Sequence, residues 1–598
     1  MENPSNLLQN FENSCRLRGK APCLRFKEGN KWVSLNWNEV YSKVLDLVGG
    51  LAKLGIKPGD RVGIFSHTCY EWTLADLAIL GCAAITVPIY ESTTADGVAY
   101  ILQNSGAKIV FVQNALQLEK IKSHLKNLPE LSQMIIFTES EAGAFLNQEG
   151  VYALSQVFLL GSGGGESIFK THLKTLNKNS DASFVYTSGT TGPPKGAILT
   201  HGNFLAEING LKTMLDFPSY IENLLFLPLA HILARVVQFA QMELGFVQCY
   251  AESIDKLMDN ISEVKPHLMA SVPRIFEKIH TRVMNGLEGG SRFKKAMFNW
   301  AVKVGSKRAE LKLQKKSIPL SLMLAWILAY RLVFSKLHKR MGGRIDYFIS
   351  GGAPFAKDIG DFFQAAGFTI LEGYGLTETT AAITVNTKKE LKIGTVGKML
   401  PGVEIKIASD GEILAKGPVV FKGYYQLPED TKSALTSDGW FHTGDIGEFD
   451  NDGFLKITDR KKDIIVTAAG KNVAPQNIES LIKTDPMISQ VMVHGDKRKF
   501  LSALVTLNKD QLLHYAQAHH ISFQNYSDLV KNEKVYLLIK GRIEEKNKQL
   551  AKYETIKKFA ILENDFSIET GELTPTLKVK RKFTSEKYKN LIDQFYQE

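Results

Sequence analysis

The hydrophobic positions of this chain change period repeatedly between residues 35 and 115. DRVGIFSH (Asp60–His67) and AKIVFVQ (Ala107–Gln113) are short apolar runs of strand length. Between them, YEWTLADLAILGCAA (Tyr70–Ala84) spaces its apolar residues as a helix does. Strands that alternate with helices predict a parallel sheet covered by helices on both faces. Ala182–Val185 reads as a further strand. RIDYFISGGAP (Arg344–Pro354) reads as a strand entering a glycine turn, the pattern expected where a ligand meets a strand's C-terminal end. GSGGGE (Gly161–Glu166) is read as a flexible connection, and residues 280–345 as mostly helical and rich in Lys and Arg. From Gly394 to Leu455, short strands with glycine turns predict a small distorted β subdomain. Beyond DRKKD (Asp459–Asp463), QVMVHG and ALVTL mix with helical stretches, enough for a separate small domain. The expected fold class is α/β. A large N-terminal domain, 1–459, has parallel or mixed sheets, flanking helices and the β subdomain; an α+β domain, 460–598, follows.

One apolar stretch stands apart. Ile318–Tyr330, IPLSLMLAWILAY, is polar only at Ser321 and is shorter than the about 20 residues that span a bilayer. It is read first as a buried helix of the large domain. The alternative is an interfacial helix whose Lys315, Lys316 and Arg331 face phospholipid headgroups, making 315–340 a peripheral membrane contact.

Composition narrows the partners. At 598 residues the chain is too long for one core. Its net charge of +11 suits polyanionic small molecules or an anionic membrane surface. Nucleic acid is set aside, because no stripe interleaves aromatics with Arg or Lys and no zinc-finger or RRM-like motif is present. The five cysteines are scattered without a CxxC pair, which points to free thiols in a reducing, cytoplasmic setting. The opening MENPSNLLQNFENS is polar and acidic and lacks the apolar run of a secretory signal.

The most informative residues are 186–203, YTSGTTGPPKGAILTHGN. A backbone that wraps closely around an anion needs glycines, free N–H groups and hydroxyls. Gly189, Gly192 and Gly196 provide the first, and Thr187, Ser188, Thr190 and Thr191 the last. Lys195 adds a point charge suited to phosphate. The spacing is not that of a Walker A loop, since Lys195 is followed by Gly196 and only two residues separate Gly189 from Gly192.

This loop resembles the signature of the adenylate-forming enzymes, and further segments match in the family's order. Ser350–Pro354 (SGGAP) resembles the adenine-side turn, with Gly351, Gly352 and Ala353. Leu371–Thr380 (LEGYGLTETT) resembles the second core motif. Thr443–Asp445 resembles the ribose element, Asp459–Asp463 the interdomain hinge, and Pro575–Lys578 the C-terminal lysine motif. PIYESTTADGVAYILQNSGAK (Pro88–Lys108), LPLAHILAR (Leu227–Arg235) and SVPRIFEKI (Ser271–Ile279) are similar to the long-chain fatty acyl-CoA synthetase branch.

The resemblance implies ATP-dependent activation of a fatty acid to acyl-AMP, then transfer to CoA, with Mg2+ required and the C-terminal domain acting as a mobile lid. Thr187, Lys195 and Lys578 are the implied catalytic residues, with Lys578 bridging carboxylate and α-phosphate. Glu372, Gly373, Tyr374, Gly375 and Thr377 join the phosphate loop, Asp445 and Arg460 in holding the nucleotide. Tyr374 offers an aromatic face to adenine, and Asp445 accepts from the ribose diol. Glu378, with Thr187, is the implied Mg2+ ligand, since that ion takes one or two carboxylates plus phosphates and waters. Asp459 and Lys462 mark the hinge. Gly470, Lys471 and Asn472 would approach CoA after lid rotation, although Ala468-Ala469-Gly470 keeps one glycine where many relatives have two. His231 and Arg235 are candidates for the mouth of an acyl tunnel. Two alternatives remain at this point: a ligase that hands acyl-AMP to a carrier protein, and a catalytically silent lipid-binding relative. Intact Lys195, Glu378, Asp445, Arg460 and Lys578 argue against the latter.

Overall fold

The computed structural model describes residues 4–143, 145, 148–187, 193–217, 220–288 and 290–597. Ser188, Gly189, Thr190, Thr191 and Gly192 of the glycine-rich loop lie outside them. Two large sheets carry the N-terminal part. The eight-stranded sheet runs in the order Gly423–Tyr424, Lys195–Thr200, Asp181–Thr187, Ile85–Ile89, Arg61–Phe65, Ala107–Val112, Gln133–Ile136, Val151–Ala153. It is parallel except at its first three strands, where Lys195–Thr200 pairs antiparallel on both sides. The nine-stranded sheet has a parallel centre, including Leu268–Ser271, Tyr347–Ser350 and Ile370–Tyr374, and antiparallel ends. Strands such as Ile85–Ile89 are buried at every position, as expected of parallel strands covered on both faces. The predicted mixed α/β architecture is therefore present; of the strands in Gly394–Leu455, Glu404–Ile407, Glu412–Lys416 and Phe441–Phe449 join Leu455–Arg460 in a four-stranded antiparallel sheet, while Lys398–Met399 and Gly423–Tyr424 join the large sheets.

Helices Tyr70–Gly81 and Ile232–Leu244 are almost wholly buried, and between them they touch strands of both large sheets. A helix hydrophobic on all sides belongs in such a place, but here two charges are buried with it. Arg235 and Asp76 are both fully inaccessible. The Arg235 Nη2 donates to Asp76 Oδ1 at 2.9 Å, and its Nη1 to Ser183 Oγ at 3.1 Å. Thr86 and Gln238 complete the carboxylate's partners at 2.7 Å each. Trp72, Phe204 and Phe239 surround the guanidinium. The structure thus moves Arg235 from the expected tunnel mouth into the core, because a charge so far from water is tolerable only when paired and hydrogen-bonded.

Two further expectations change. GSGGGE is not a flexible connection. Helix Leu154–Gly161 ends there and helix Gly165–Thr175 begins. A Cβ on Gly161 would lie 1.8 Å from the Asp46 carbonyl oxygen, and one on Gly165 1.8 Å from that of Leu45. The glycines let this turn meet helix Trp37–Lys53 backbone to backbone. The apolar stretch 318–330 is not a buried helix either. Helix Leu320–Ala329 continues through a π turn, Tyr330–Phe334, into Ser335–Arg340. Only Trp326 and Ala329 of the first segment are buried, while Leu320 is 75% exposed. Helix Arg292–Leu313 covers one face, and Ala366–Phe368 and helix Leu257–Val264 meet the C-terminal part, leaving the leucine side uncovered.

The C-terminal part has its own hydrophobic cluster, from Ile465 to Phe559, around the sheet Ile488–His494, Leu501–Leu507, Ile556–Ile561. A two-stranded hairpin, Ile465–Val466 with Asn472–Val473, projects from it.

Two stability outcomes follow from the packing. Asp76→Ala leaves a buried guanidinium without its counter-charge and should cost about 3–5 kcal/mol in urea unfolding. Gly161→Ala should cost about 1–3 kcal/mol in the same measurement, because two helix backbones must separate to admit one methyl group. An unshifted midpoint for either variant contradicts the corresponding contact.

Candidate active site

The hairpin Asp181–Thr187/Lys195–Thr200 flanks the glycine-rich loop, with Thr187 paired to Lys195 in the ladder. This fixes where the loop must leave and re-enter the sheet. The Lys195 ammonium contacts the Asp430 carboxylate and lies 5.3 Å from the centre of the Tyr424 ring. Tyr424 belongs to the edge strand Gly423–Tyr424, which pairs Tyr424 with Ala197. Its hydroxyl donates to Glu378 Oε1 at 2.8 Å. The implied phosphate lysine and the implied metal ligand are therefore coupled through one phenol.

Glu378 sits on a 3-10 turn, Thr377–Thr379, and does not cap an α-helix. The chain then reverses through Thr380 and Ala381, both at positive φ, and the Thr380 hydroxyl donates to the Val419 carbonyl at 2.7 Å. At Gly375 a Cβ would lie 1.5 Å from the Ala381 oxygen, so this reversal requires glycine there. Parallel strands Tyr347–Ser350 and Ile370–Tyr374 pair Ser350 with Glu372. They deliver Gly351, Gly352 and Ala353 beside Gly373 and Tyr374. The Cβ position of Gly351 is 3.5 Å from the Gly373 oxygen. Burial raises the Glu372 carboxyl to about 8, so it is protonated at neutral pH and able to donate a hydrogen bond.

His231 caps helix Ile232–Leu244, its Nδ1 accepting from the Leu233 N–H at 3.2 Å. The proton therefore sits on Nε2. Its ring stands 3.8 Å from the Cβ position of Gly352. Burial, aided by the charge of Lys578, lowers its pKa to about 4, so the ring is neutral and serves as a donor. His231 thus lies between the adenine-side turn and the tail lysine.

Asp445 is the centre of the arrangement. It is 4% exposed. Its Oδ2 accepts from the Tyr374 hydroxyl at 2.7 Å, and its Oδ1 pairs with Arg460 Nε at 3.0 Å. Asp445 and Arg460 face each other across the antiparallel ladder. Each carboxylate oxygen keeps a further lone pair for a diol.

Lys578 reaches this centre from the C-terminal domain. Thr574 and Lys578 close a tight turn with two hydrogen bonds, Thr574 N to the Lys578 oxygen at 2.8 Å and Lys578 N to Thr574 Oγ1 at 3.1 Å. Lys578 is exposed, yet protein groups from several segments surround its ammonium. That crowding, with the charge of Arg460, lowers its pKa to about 8, opposed by Asp445, Glu378 and Asp463. These neighbours come from the second motif, the ribose element and the hinge, so the structure gathers Lys578, Glu378, Asp445 and Arg460 into one field.

The remaining expected residues fall elsewhere. Lys462 is exposed at the domain junction, and Asp459 is buried with Oδ2 unpartnered, its carboxyl raised by burial to about 7. Gly470, Lys471 and Asn472 stand exposed on the hairpin, and none of the groups that act on Lys578 belongs to it. The structure adds Tyr424, Asp430 and Arg581, whose guanidinium meets Glu479 and lies 3.8 Å from Asp463. No motif marks these three; strand pairing and the return of the tail to the hinge bring them in.

Comparison with known proteins identifies the family and agrees with the fold. The AMP-binding enzyme profile matches residues 11–425, and the AMP-binding enzyme C-terminal domain profile matches residues 462–598. The long-chain-fatty-acid–CoA ligase FadD15 of Mycobacterium bovis is 37% identical over 571 residues, covering 94% of this chain and 92% of the relative. The human long-chain-fatty-acid–CoA ligase ACSBG1 is 32% identical, covering 97% of this chain and 84% of the relative. Among solved structures, the adenylation domain of a carboxylate reductase from Mycobacterium chelonae superposes with a TM-score of 0.78 at 20% identity, covering 99% of this chain and 91% of that one. A Mycobacterium tuberculosis fatty acyl CoA synthetase gives a TM-score of 0.62 at 21% identity, with 98% of each chain covered. This chain belongs to the AMP-binding, adenylate-forming enzyme family, in its long-chain fatty acyl-CoA synthetase branch.

Proposed function

We propose that this protein activates a long-chain fatty acid with ATP to acyl-AMP and pyrophosphate, then transfers the acyl group to CoA, releasing AMP. The observation that carries the reading is the convergence of Lys578 with Glu378, Asp445 and Arg460 at the ends of the nucleotide-motif strands. A carboxylate is a poor acyl donor until adenylation supplies a leaving group. Two anions must meet for that step, and preorganised cations and N–H donors lower its barrier. Lys578 and Lys195 provide the cations. Asp445, held by Tyr374 and Arg460, orients the ribose and so fixes the α-phosphate relative to Lys578. The nucleophile is already ionised, so no general base is needed, which fits a neutral His231.

The donor set fits Mg2+ arriving with the nucleotide. Among the described residues no group of three or more His, Cys, Asp or Glu could hold a metal. Glu378 offers one carboxylate, steadied at Oε1 by Tyr424, and Thr187 one hydroxyl. Such a sparse hard-oxygen set suits an ion whose other ligands are phosphate and water. When bound, it would neutralise charge on the phosphates.

For the thioester half, the lid turns about Lys462, withdrawing Lys578 and bringing Gly470–Asn472 to the cleft for CoA. Exposure of both segments is consistent with that exchange. The five cysteines are all free, which supports a reducing cytoplasmic location.

The decisive assay is pyrophosphate release over a panel of acids from acetate to long-chain species, with and without CoA. Release with no fatty acid of any length contradicts the reading. Lys578→Ala should slow acyl-AMP formation by about a hundredfold or more, a magnitude typical of losing a group aimed at developing charge. Thioester formation from supplied acyl-AMP should stay near the parent rate; equal loss in both halves would refute this role. Lysine is charged below its pKa, so kcat/KM for adenylation should fall as pH rises past about 8, and Lys578→Ala should lack that limb. Lys462→Pro, which restricts the pivot, should slow thioester formation more than pyrophosphate exchange; parallel slowing would place the pivot elsewhere.

A further inference from the structure

We infer that the helical hairpin spanning 292–340 is a docking surface for an anionic lipid bilayer, lying in the membrane interface with its apolar stripe among the acyl chains. This goes beyond the proposed reaction and stands without it. The stripe is Leu320, Met323, Leu324, Ile327, Leu328 and Leu332, exposed by 75, 40, 60, 42, 51 and 47% respectively. Their spacing puts all six on one side of the helix. On the opposite side Trp326, Ala329 and Phe334 are buried, with the Arg308 guanidinium 4.5 Å from the Trp326 ring. A contiguous patch of this kind on a soluble domain marks a surface that meets something apolar.

Charge selects the partner. Residues 292–340 contain thirteen Lys and Arg but one acidic residue, Glu310, a net of +12. The whole chain carries +11, so everything outside these residues is close to neutral, at −1. The chain's basic character is therefore a property of this hairpin alone. Lys312, Lys315 and Lys316 are exposed ahead of the stripe, and Arg331, Lys336, Lys339 and Arg340 towards its far end. Apolar side chains bracketed by exposed cations match acyl chains bracketed by anionic headgroups. A nucleic acid would use the cations and leave the leucines in water. A second copy would set one strongly positive hairpin against another.

By length and composition alone, the helix Leu320–Arg340 could cross a membrane. Its packing argues for lying flat. One side is fixed to helix Arg292–Leu313, and that helix is itself tied to the nucleotide-binding domain. A Cβ on Gly305 would lie 2.1 Å from the Ala365 oxygen of helix Lys357–Ala365, and Phe298 stacks with Phe362 at 6.1 Å. Helix Lys357–Ala365 begins four residues after Ala353 of the adenine-side turn. Docking would therefore hold the active-site domain itself at the surface where fatty acids partition.

The test is co-sedimentation of the full chain with vesicles of phosphatidylcholine alone and of phosphatidylcholine mixed with phosphatidylglycerol. Binding should favour the anionic vesicles and weaken as salt rises, since charge is screened within about 10 Å at 0.1 M. Leu324→Glu/Leu328→Glu and, separately, Lys315→Glu/Lys316→Glu/Lys336→Glu should each lower the partition coefficient about tenfold or more, with unchanged turnover of a water-soluble shorter acid reporting an intact fold. The proposal is overturned if both variants sediment like the parent, if the parent ignores anionic vesicles, or if light scattering shows a dimer that Leu324→Glu/Leu328→Glu dissolves.

Discussion

The carboxylate of Asp445 is the constraint on which the site depends. It is buried, and its two oxygens are engaged by Tyr374 and Arg460, which come from different strands and different motifs. A buried carboxylate must be paired, and satisfying it brings the nine-stranded sheet, the small antiparallel sheet and the start of the hinge into one geometry. Lys578 then enters a field already shaped by that pair. Its pKa is lowered first by burial and then by the charge of Arg460, so a second cation stands there at a cost. Substrate anions would relieve that cost, so the site is better matched to the loaded state than to the empty one.

Deeper in the domain, Asp76 and Arg235 play a comparable part for the scaffold. They link two helices packed between the large sheets, and Ser183 and Thr86 extend the network into adjacent strands. Ser183 lies on the same strand that ends at Thr187, beside the glycine-rich loop. A buried hydrogen-bonded network of this kind rigidifies the elements it joins, although Arg235 Nε keeps no partner, and here those elements support the sheet edge beside the glycine-rich loop.

Much of this was legible before the structure. The strands Arg61–Phe65 and Ala107–Val112, and the helix Tyr70–Gly81 between them, match the runs whose period announced them. The family resemblance implied a common site for Tyr374, Glu378, Asp445, Arg460 and Lys578, although more than 200 residues separate the first from the last. What was not legible depends on long-range packing. Arg235 sits in an apolar helical segment that gives no hint of Asp76, its partner 159 residues away. GSGGGE has the composition of a flexible linker, and only the approach of another helix reveals why side chains are excluded. The leucines of 320–332 have core-like composition, but the side of the helix that carries them is left exposed. Tyr424 and Arg581 carry no local signature because their partners are supplied by strand pairing and by the tail's return.

The strand Gly423–Tyr424 closes the edge of the eight-stranded sheet beside Lys195–Thr200, although more than 200 residues intervene. A ribosome releasing this chain in order must therefore expose an open sheet margin through the synthesis of most of the second sheet. At roughly 5–20 residues per second, that interval lasts on the order of 10 seconds or more. Unpaired margins invite pairing with strangers, so nascent chains of this protein should lean on chaperones during that window and be least tolerant of synonymous changes that slow elongation within it.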